Sequence, residues 1–261
     1  MKIFCISIQN KNFYNLKKLG LIPVGLGSVN FDKNWLNDKG KFNISKKNIH
    51  FGEYTFHYHI WKNKVLSKNY KDWVGFCSYR RFWTSSKNNI KNFNELDKII
   101  IKKPQKNWTK FDVILGKPLV FKKIKNIKLI KSNLIEVIKK PSMLYRNNTL
   151  EDQFRVFHGS YFLDQAIKLI PNKYQDDFRK FLKGHLLHPF NMFICKNSDI
   201  LMSFYNEIFP WLLNCEKVFK YSNLSGYNRI RIYGFLAERF MPFWFMKNYR
   251  VTTNPITFFS N

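Results

Sequence analysis

The sequence predicts an α/β fold in which helices flank a central mixed sheet. Three short apolar runs, at residues 2–8, 73–77 and 111–116, have the length and composition of buried strands. Residues 51–63 and 150–170 instead repeat their apolar side chains every three or four positions, which is typical of helices. A chain that alternates these two patterns is expected to cover one sheet with helices.

A chain of 261 residues suits one large domain or two small ones, and the lack of any linker predicts a single domain that covers residues 1–261. The hydrophobic fraction of 45% is ordinary for a globular protein and excludes wholesale disorder. No internal repeat, Ser/Pro-rich linker or low-complexity tail interrupts the chain. The four cysteines are far apart, lack C-x-x-C or Cys/His zinc spacing, and are therefore expected to be reduced and buried: Cys5, Cys77, Cys195 and Cys215.

The net charge of +28 indicates an anionic partner, which could be nucleic acid, a membrane surface or a phosphate-bearing substrate. The lysines are spread along the whole chain, and Lys, Asn, Ile and Phe are abundant throughout, as AT-rich codons would produce. We therefore do not interpret the charge as a sign of nucleic acid. It still favours docking on an anionic bilayer, where each nearby basic residue adds roughly 1 kcal/mol.

Neither a signal peptide nor a membrane span is predicted. The apolar run after Met1 and Lys2 is too short for a signal sequence. No uninterrupted apolar run approaches the ~20 residues of a transmembrane helix. The sequence thus predicts a cytoplasmic protein, soluble or peripheral on the inner face of the membrane.

A loop and a helix in the first quarter of the chain carry candidate polar groups. After a short strand and turn at 21–27, residues 37–45 are rich in turn formers and small polar side chains, which suits hydroxyl or phosphate recognition at a sheet edge. The helix at 51–63, which Asn48 could cap, places Glu53 among aromatic residues. That carboxylate could bind a sugar hydroxyl or be an ordinary half-exposed helix residue, and both interpretations stay open.

The stretch from Trp73 to Trp83 is the most distinctive in the sequence. It begins as a buried strand and then delivers Tyr79, Arg80 and Arg81. Ligands of open α/β sheets bind outside the carboxyl ends of the strands, and a planar guanidinium group suits phosphate better than an ammonium does. The paired arginines therefore indicate an anion site, although two arginines that merely end a strand in solvent would give the same pattern.

The rest of the chain continues the alternation of helices and strands. Thr149 and Asp152 match a capping box at the start of the helix at 150–170, and Pro171 ends it. His158 lies on this helix, where a lone histidine is more often structural than catalytic. The other predicted elements are helices near 94–98, 174–183, 199–215 (interrupted at Pro210) and 227–246, a loop entering a strand over 184–195, and an edge strand at 249–253, whereas the lysine-rich block 117–140 predicts nothing clear.

Within the predicted helix at 227–246, Glu238 and Arg239 are adjacent charges in an apolar segment. An unpaired charge is costly to bury. At least one of the two is therefore expected to be paired or functional.

Common catalytic and nucleotide-binding motifs are absent. The sequence has no P-loop, no G-x-G-x-x-G fingerprint, no G-x-S-x-G elbow, no EF-hand and no H-E-x-x-H motif. The D-x-D pair that binds a metal–diphosphate complex in many sugar-nucleotide transferases is also missing, so arginines could neutralise a diphosphate instead. No metal ligand is predicted, and a requirement for Mn²⁺ or Mg²⁺ is left open.

Several segments together resemble one known family. They are Asp38-x-Gly40-x-x-Asn43-Ile44-Ser45-x-x-Asn48, Glu53-x-Thr55-x-x-Tyr58-x-x-Trp61-Lys62-Asn63, Gly75-Phe76-Cys77-Ser78-Tyr79-Arg80-Arg81-Phe82, Asn191-Met192-Phe193-Ile194 and Tyr233-Gly234-Phe235-Leu236-Ala237-Glu238-Arg239-Phe240. Over nearly the whole chain they are similar to a bacterial group of exopolysaccharide and capsule glycosyltransferases that carries a domain-of-unknown-function label. The family usually has His-Tyr-Arg-Arg where this chain has Ser78 before Tyr79.

The resemblance implies a glycosyltransferase-A-like, nucleotide-sugar-binding fold. It implies a hexosyltransferase-type enzyme that moves a sugar from a nucleotide diphosphate donor to a growing cell-surface polysaccharide or lipid-linked glycan. In such an enzyme Arg80 and Arg81 would stabilise the departing diphosphate, and Glu53 or Glu238 would bind or deprotonate the acceptor hydroxyl. The residues expected to contact the substrates are Asp38, Asn43, Ser45, Tyr79, His158, Asn191 and Arg239.

Two other functions stay open on the sequence alone. A basic module that binds RNA or DNA would stack its Phe and Tyr side chains on bases. The dispersed lysines and the lack of a recognised nucleic-acid motif count against it. An inactive transferase-like scaffold in an envelope assembly is compatible with Ser78 in place of the family histidine.

Overall fold

The computed structural model describes residues 1–67, 70–87, 89–120, 138, 140–145, 147–221, 224 and 226–260. Within these ranges, helices pack on both faces of one mixed sheet. The predicted fold class, α/β with a central mixed sheet flanked by helices, is confirmed. Most of the lysine-rich block 117–140 lies outside the described residues.

Two sheets are formed by the described chain. Eight strands belong to the main sheet, and β6 and β7 form a separate antiparallel ribbon. The strands are β1 (Lys2–Ser7), β2 (Ile22–Gly25), β3 (Val74–Ser78), β4 (Arg81–Trp83), β5 (Val113–Gly116), β6 (Leu119–Val120), β7 (Leu186–Leu187), β8 (Phe193–Cys195), β9 (Val251–Asn254) and β10 (Ile256–Phe258).

Strand β3 is the centre of the main sheet. It pairs in parallel with β1 and antiparallel with β8, and a tight turn joins its end to antiparallel β4. Strand β1 also pairs in parallel with β2. Because β1, β2 and β3 run in the same direction, their last residues Ser7, Gly25 and Ser78 lie along one side of the sheet, which we call the carboxyl edge.

The helices of the described chain range from one turn to 22 residues. They are α1 (Phe13–Lys18), α2 (Asn48–Phe51), α3 (Tyr54–Asn63), α4 (Phe93–Ile99), α5 (Leu150–His158), α6 (Ser160–Leu169), α7 (Asn172–Leu182), α8 (Ser198–Phe219), α9 (Tyr227–Ile230) and α10 (Ile232–Asn248).

The alternation of side chains along β1 and β3 divides the core into two layers. Phe4 and Phe76 stack on each other in the larger layer, beneath α3, α8 and α10. Cys5 and Cys77 point to the opposite face, into a smaller layer with residues of α1 and α4. All four cysteines are free and buried, as predicted.

Three predicted helices differ in the structure. The helix predicted at 51–63 begins at Tyr54 because Gly52 has a φ of +57°, and Asn48 opens α2 rather than capping the longer helix. The helix predicted at 150–170 breaks at Gly159, whose φ is +100°. The capping box of Thr149 and Asp152 is confirmed. The tract at 227–246 divides at Arg231 into α9 and α10.

The predicted interruption at Pro210 is wrong, since α8 continues through this residue to Phe219. Proline removes one helical hydrogen bond, to the carbonyl four residues earlier. Both Pro210 and Asn206 are solvent-exposed, so water can bond to the freed carbonyl. Burial of the opposite face of α8 outweighs the remaining cost.

Candidate active site

A cavity of about 720 Å³ opens at the carboxyl edge. Its walls come from the β3–β4 turn, the junction of α2 with α3, the turn before β8, and α9 with the first turns of α10. Most of the lining is apolar. The charged side chains that line it are Glu53, Arg80, Arg81, Arg231 and Glu238.

Two arginines at one end of the cavity have no carboxylate within ion-pair distance in the described chain. The two carboxylates of the cavity pair instead with Arg231 and Arg239. The Nε atom of Arg80 and the Oγ atom of Ser78 are buried and make no hydrogen bond among the described residues. Because buried polar atoms nearly always have partners, this end of the cavity is suited to an anion rich in oxygen atoms.

The guanidinium group of Arg81 is partly enclosed by aromatic rings. Its central carbon lies 4.2 Å from the ring centre of Phe190 and 5.8 Å from that of Phe258. Burial lowers the pKa of Arg81, and the neighbouring positive charge of Arg80 lowers it further. A bound anion would offset both effects.

The carboxylate of Glu53 lies directly before α3. Its Oε1 atom accepts a hydrogen bond from Nδ2 of Asn191 at 2.6 Å, and its Oε2 atom lies 3.4 Å from Nη2 of Arg231. Burial raises the pKa of Glu53, and the charge of Arg231 opposes that rise. A carboxylate whose pKa is raised towards neutrality is suited to accept a proton from a hydroxyl group.

Asn191 fixes the position of Glu53. It also donates to the carbonyl oxygen of Gly234 at 3.1 Å, so it connects the segment before α3 with α10. Phe190 and Asn191 both have positive φ, at 77° and 51°. Two successive residues with side chains rarely adopt this backbone, and such strain is often found at functional sites.

Glu238 maintains that strained turn. Its Oε1 atom accepts the backbone N–H of Phe190 at 2.7 Å, and its Oε2 atom lies 2.5 Å from Nη1 of Arg239. Arg239 is buried and also donates to Oε1 of Gln153. Glu238, itself held by Arg239, therefore fixes the backbone of Phe190 in the position from which the phenylalanine ring covers Arg81.

Gly52 provides the space in which Arg231 reaches Glu53. A Cβ atom at this position would lie 2.5 Å from Nη2 of Arg231, well inside a normal contact. The φ of +57° and ψ of −134° are also unfavourable for any residue with a side chain. Both facts make glycine the suitable residue here.

Replacing Gly52 with alanine is expected to lower the free energy of unfolding by about 1–3 kcal/mol, the usual cost of a side chain in such a backbone conformation. Urea unfolding measures this loss. The matched control is Gly226→Ala, because Gly226 has a φ of +73° but nothing within 4 Å of an added Cβ. Both variants should lose stability, and only Gly52→Ala should also displace Arg231 and alter the proton uptake of Glu53. A Gly52 variant as stable as the wild type would contradict the expectation.

The structure brings six of the eleven predicted site residues to the cavity. They come from four separate segments and are Glu53, Tyr79, Arg80, Arg81, Asn191 and Glu238. The other five, Asp38, Asn43, Ser45, His158 and Arg239, do not line it.

Asp38, Asn43 and Ser45 lie in a loop that packs towards the C-terminal end of α3. The loop bonds to this helix through Gly40, whose N–H donates to Nδ1 of His59 at 3.3 Å. Oγ of Ser45 donates to Oδ1 of Asn43 at 2.8 Å, within the loop. Substrate contacts by these three residues stay a prediction.

His158 lies one layer behind the cavity, like Arg239. Its ring stacks on Phe235 at 4.1 Å, and Nδ1 bonds to the carbonyl oxygen of Asn228 at 2.8 Å. Burial lowers the pKa of His158 to about 3, with a further contribution from Arg239. His158 is therefore neutral at physiological pH and supports Phe235, which does line the cavity.

Arg231 and Phe190 also line the cavity, although the sequence did not predict them as site residues. Neither belongs to a recognisable motif, and Arg231 pairs with a residue 178 positions earlier in the chain. A glycine next to Glu53 inside a helical pattern is the one signal that another group passes close to the backbone there.

In the described part of the chain, no group of three or more His, Cys, Asp or Glu side chains is placed to hold a metal ion. No helix of these residues is long and apolar enough to cross a bilayer.

Fold and site together define an α/β protein with a cavity at the carboxyl edge of a mixed sheet. The cavity combines two carboxylates with two arginines that have no carboxylate partner among the described residues. Residues 2–249 match the family model described as a domain of unknown function, DUF4422. The chain belongs to this family, which confirms that part of the resemblance. None of the curated proteins matches the chain.

A solved structure has a similar fold. It is the apo structure of WbbM, described as a bifunctional glycosyltransferase, and it matches with a TM-score of 0.75 and 23% sequence identity. The match covers 100% of this chain and 45% of that one. The chain thus spans less than half the length of this neighbour.

Proposed function

We propose that the protein is a glycosyltransferase that transfers a sugar from a nucleotide diphosphate donor to a hydroxyl group of a growing glycan. The observation that carries the proposal is the placement, in one cavity, of two arginines with no carboxylate partner among the described residues and a partly buried carboxylate with raised pKa. The fold shared with a glycosyltransferase supports it. The acceptor that we propose is a cell-surface polysaccharide, such as a capsule or exopolysaccharide, or a lipid-linked glycan made at the cytoplasmic face of the membrane.

Arg80 and Arg81 would bind the diphosphate of the donor. Negative charge develops there as the sugar leaves, and fixed donors are most effective where charge develops. The buried Oγ of Ser78 and Nε of Arg80 would gain partners from the phosphate oxygens. Tyr79 would position Arg80, whose guanidinium carbon lies 4.9 Å from the tyrosine ring centre.

Glu53 is the residue that we propose as the general base for the acceptor hydroxyl. Its raised pKa, its place in the cavity and its two partners suit this role. Glu238 would act as a positioning residue, because it holds the backbone of Phe190 and the guanidinium of Arg239. Asn191 would orient Glu53.

A thermal-shift screen with nucleotide diphosphates and nucleotide sugars, with and without Mn²⁺, tests the proposal. A ligand at 100 times its Kd adds about 2.7 kcal/mol to stability. For a chain of this size we therefore expect a rise in Tm of roughly 5 °C or more with the correct nucleotide. The Arg81→Ala variant should lose most of that rise.

The absence of any shift with the whole panel would contradict the proposal. A rise in Tm with a nucleotide, combined with no turnover for every pair of sugar donor and glycan acceptor tested, would favour the inactive scaffold. A salt-sensitive shift with random RNA alone would favour a nucleic-acid-binding module.

A further inference from the structure

We propose that the face on which the cavity opens docks on an anionic membrane surface. The contact would be made by four exposed residues that line the cavity, which we call the rim: Ile8, Ile49, Phe190 and Tyr227. Their exposed fractions are 50%, 60%, 36% and 67%. Docking goes beyond the proposed sugar transfer and does not depend on it.

The four apolar rim side chains lie around one opening and are not isolated from each other on the surface. Single exposed apolar side chains are common on soluble proteins. Four such side chains around one opening form a patch, and patches mark sites that contact another molecule or a membrane. Isoleucine buries well among acyl chains near the surface, and tyrosine favours the level of the lipid headgroups.

Basic residues outnumber acidic ones around the rim, where the nearby carboxylates are Glu53, Glu216 and Glu238. The chain segments at 8–11, 45–51 and 227–231, which carry three of the four rim residues, contain no Asp or Glu. The two carboxylates that line the cavity are occupied by Arg231 and Arg239. Of the basic residues of the three segments, Lys47 pairs with Glu216 and Arg231 with Glu53, whereas Lys11, Lys46 and Arg229 are exposed. Exposed basic side chains that neighbour apolar rim residues in the chain complement an anionic bilayer.

The rim segments are fixed to each other before any membrane is met. His50 stacks on Tyr221 at 4.2 Å, and its Nδ1 atom bonds to the carbonyl oxygen of Ile230 at 2.9 Å. The hydrogen bond holds α2, which carries Ile49, against α9, which begins with Tyr227, and the stacking joins α2 to residue 221 before α9. A preformed surface loses little conformational freedom on docking.

Docking in this orientation would place the opening of the cavity at the boundary between water and lipid. An acceptor sugar attached to a membrane lipid could then enter the cavity while its lipid stays in the bilayer. This part rests on the proposed function, whereas binding to the membrane can be measured without any sugar donor.

Vesicle flotation tests the inference directly. The full chain is mixed with vesicles that contain phosphatidylglycerol, and in parallel with vesicles of phosphatidylcholine alone, at about 0.15 M salt. We expect binding to the anionic vesicles only. The rim variant Ile49→Glu with Arg229→Glu should weaken that binding by on the order of tenfold or more.

The matched control changes the charge by the same amount on a different surface. It combines Met246→Glu with Lys180→Glu. Met246 lies about 12 Å along α10 beyond Glu238, the last residue of this helix that lines the cavity, and Lys180 is exposed on α7, which packs against α10. The control should bind like the wild type, and circular dichroism should show both variants folded. Absence of binding to anionic vesicles, or equal weakening in both variants, would overturn the inference. If nucleotide raises the Tm of the protein but the protein does not bind the anionic vesicles, membrane docking is refuted and the proposed sugar transfer is not.

Discussion

Replacing Arg81 with alanine is expected to lower the rate of sugar transfer by on the order of 10²-fold or more. Arg81 has no carboxylate partner in the described chain, and burial and Arg80 both lower its pKa. The charges of Glu238 and Glu53 act in the opposite direction, but neither carboxylate is ion-paired with Arg81, so an anion in the cavity would be its first direct partner among the described residues. A donor of this kind stabilises the departing diphosphate more than the ground state, and its loss typically costs two to three orders of magnitude in turnover.

Arg80→Ala should give a loss of the same order, because its buried Nε atom has no partner among the described residues. Arg81→Lys separates charge from geometry. A lysine retains the positive charge but cannot present two parallel N–H donors to a phosphate. We expect it to recover only part of the lost activity.

The control for both arginines is Arg250→Ala. Arg250 is exposed and pairs with Asp112 at 3.1 Å, outside the cavity lining. Its removal should leave transfer unchanged and lower the free energy of unfolding by no more than about 1 kcal/mol, because exposed ion pairs contribute little. Normal transfer by the Arg80 and Arg81 variants would remove the diphosphate site from this end of the cavity.

The arginine end of the cavity could be predicted from a local sequence pattern. An apolar run that ends in two arginines predicts both a strand and an anion site, because both depend on neighbours in sequence. The structure confirms the strand and adds that Arg81 begins the antiparallel strand β4 after a tight turn. The turn was not predicted, since its short return strand has only three residues.

The carboxylate side of the cavity depends on contacts that no local pattern contains. Glu53, Asn191 and Arg231 are brought together across 138 and 178 positions of sequence. The resemblance identified Glu53 and Asn191 residue by residue, whereas Arg231 lies between its quoted segments. A buried network of this kind is visible only after the sheet has placed its segments.

Replacing Glu53 with glutamine is expected to lower turnover by roughly 10²–10⁴-fold, the usual contribution of a general base. Glutamine retains the shape of the side chain but cannot accept the proton of the acceptor hydroxyl. The matched control is Glu207→Gln, because Glu207 pairs with Lys173 at 2.8 Å and lies outside the cavity lining. Turnover of Glu53→Gln near the wild-type rate would transfer the role of base to Glu238.

The same variant should gain stability relative to the wild type as the pH rises. Since the folded protein raises the pKa of Glu53 above 4.5, the folded state binds the proton more tightly than the unfolded chain does. This contribution is complete below the unfolded pKa and is lost as the pH rises through the folded pKa. Glutamine resembles the protonated form at every pH and avoids that loss. Urea unfolding at about pH 4 and pH 7 should therefore show a larger advantage for Glu53→Gln at neutral pH. The opposite trend would mean that the attraction of Arg231 exceeds the effect of burial.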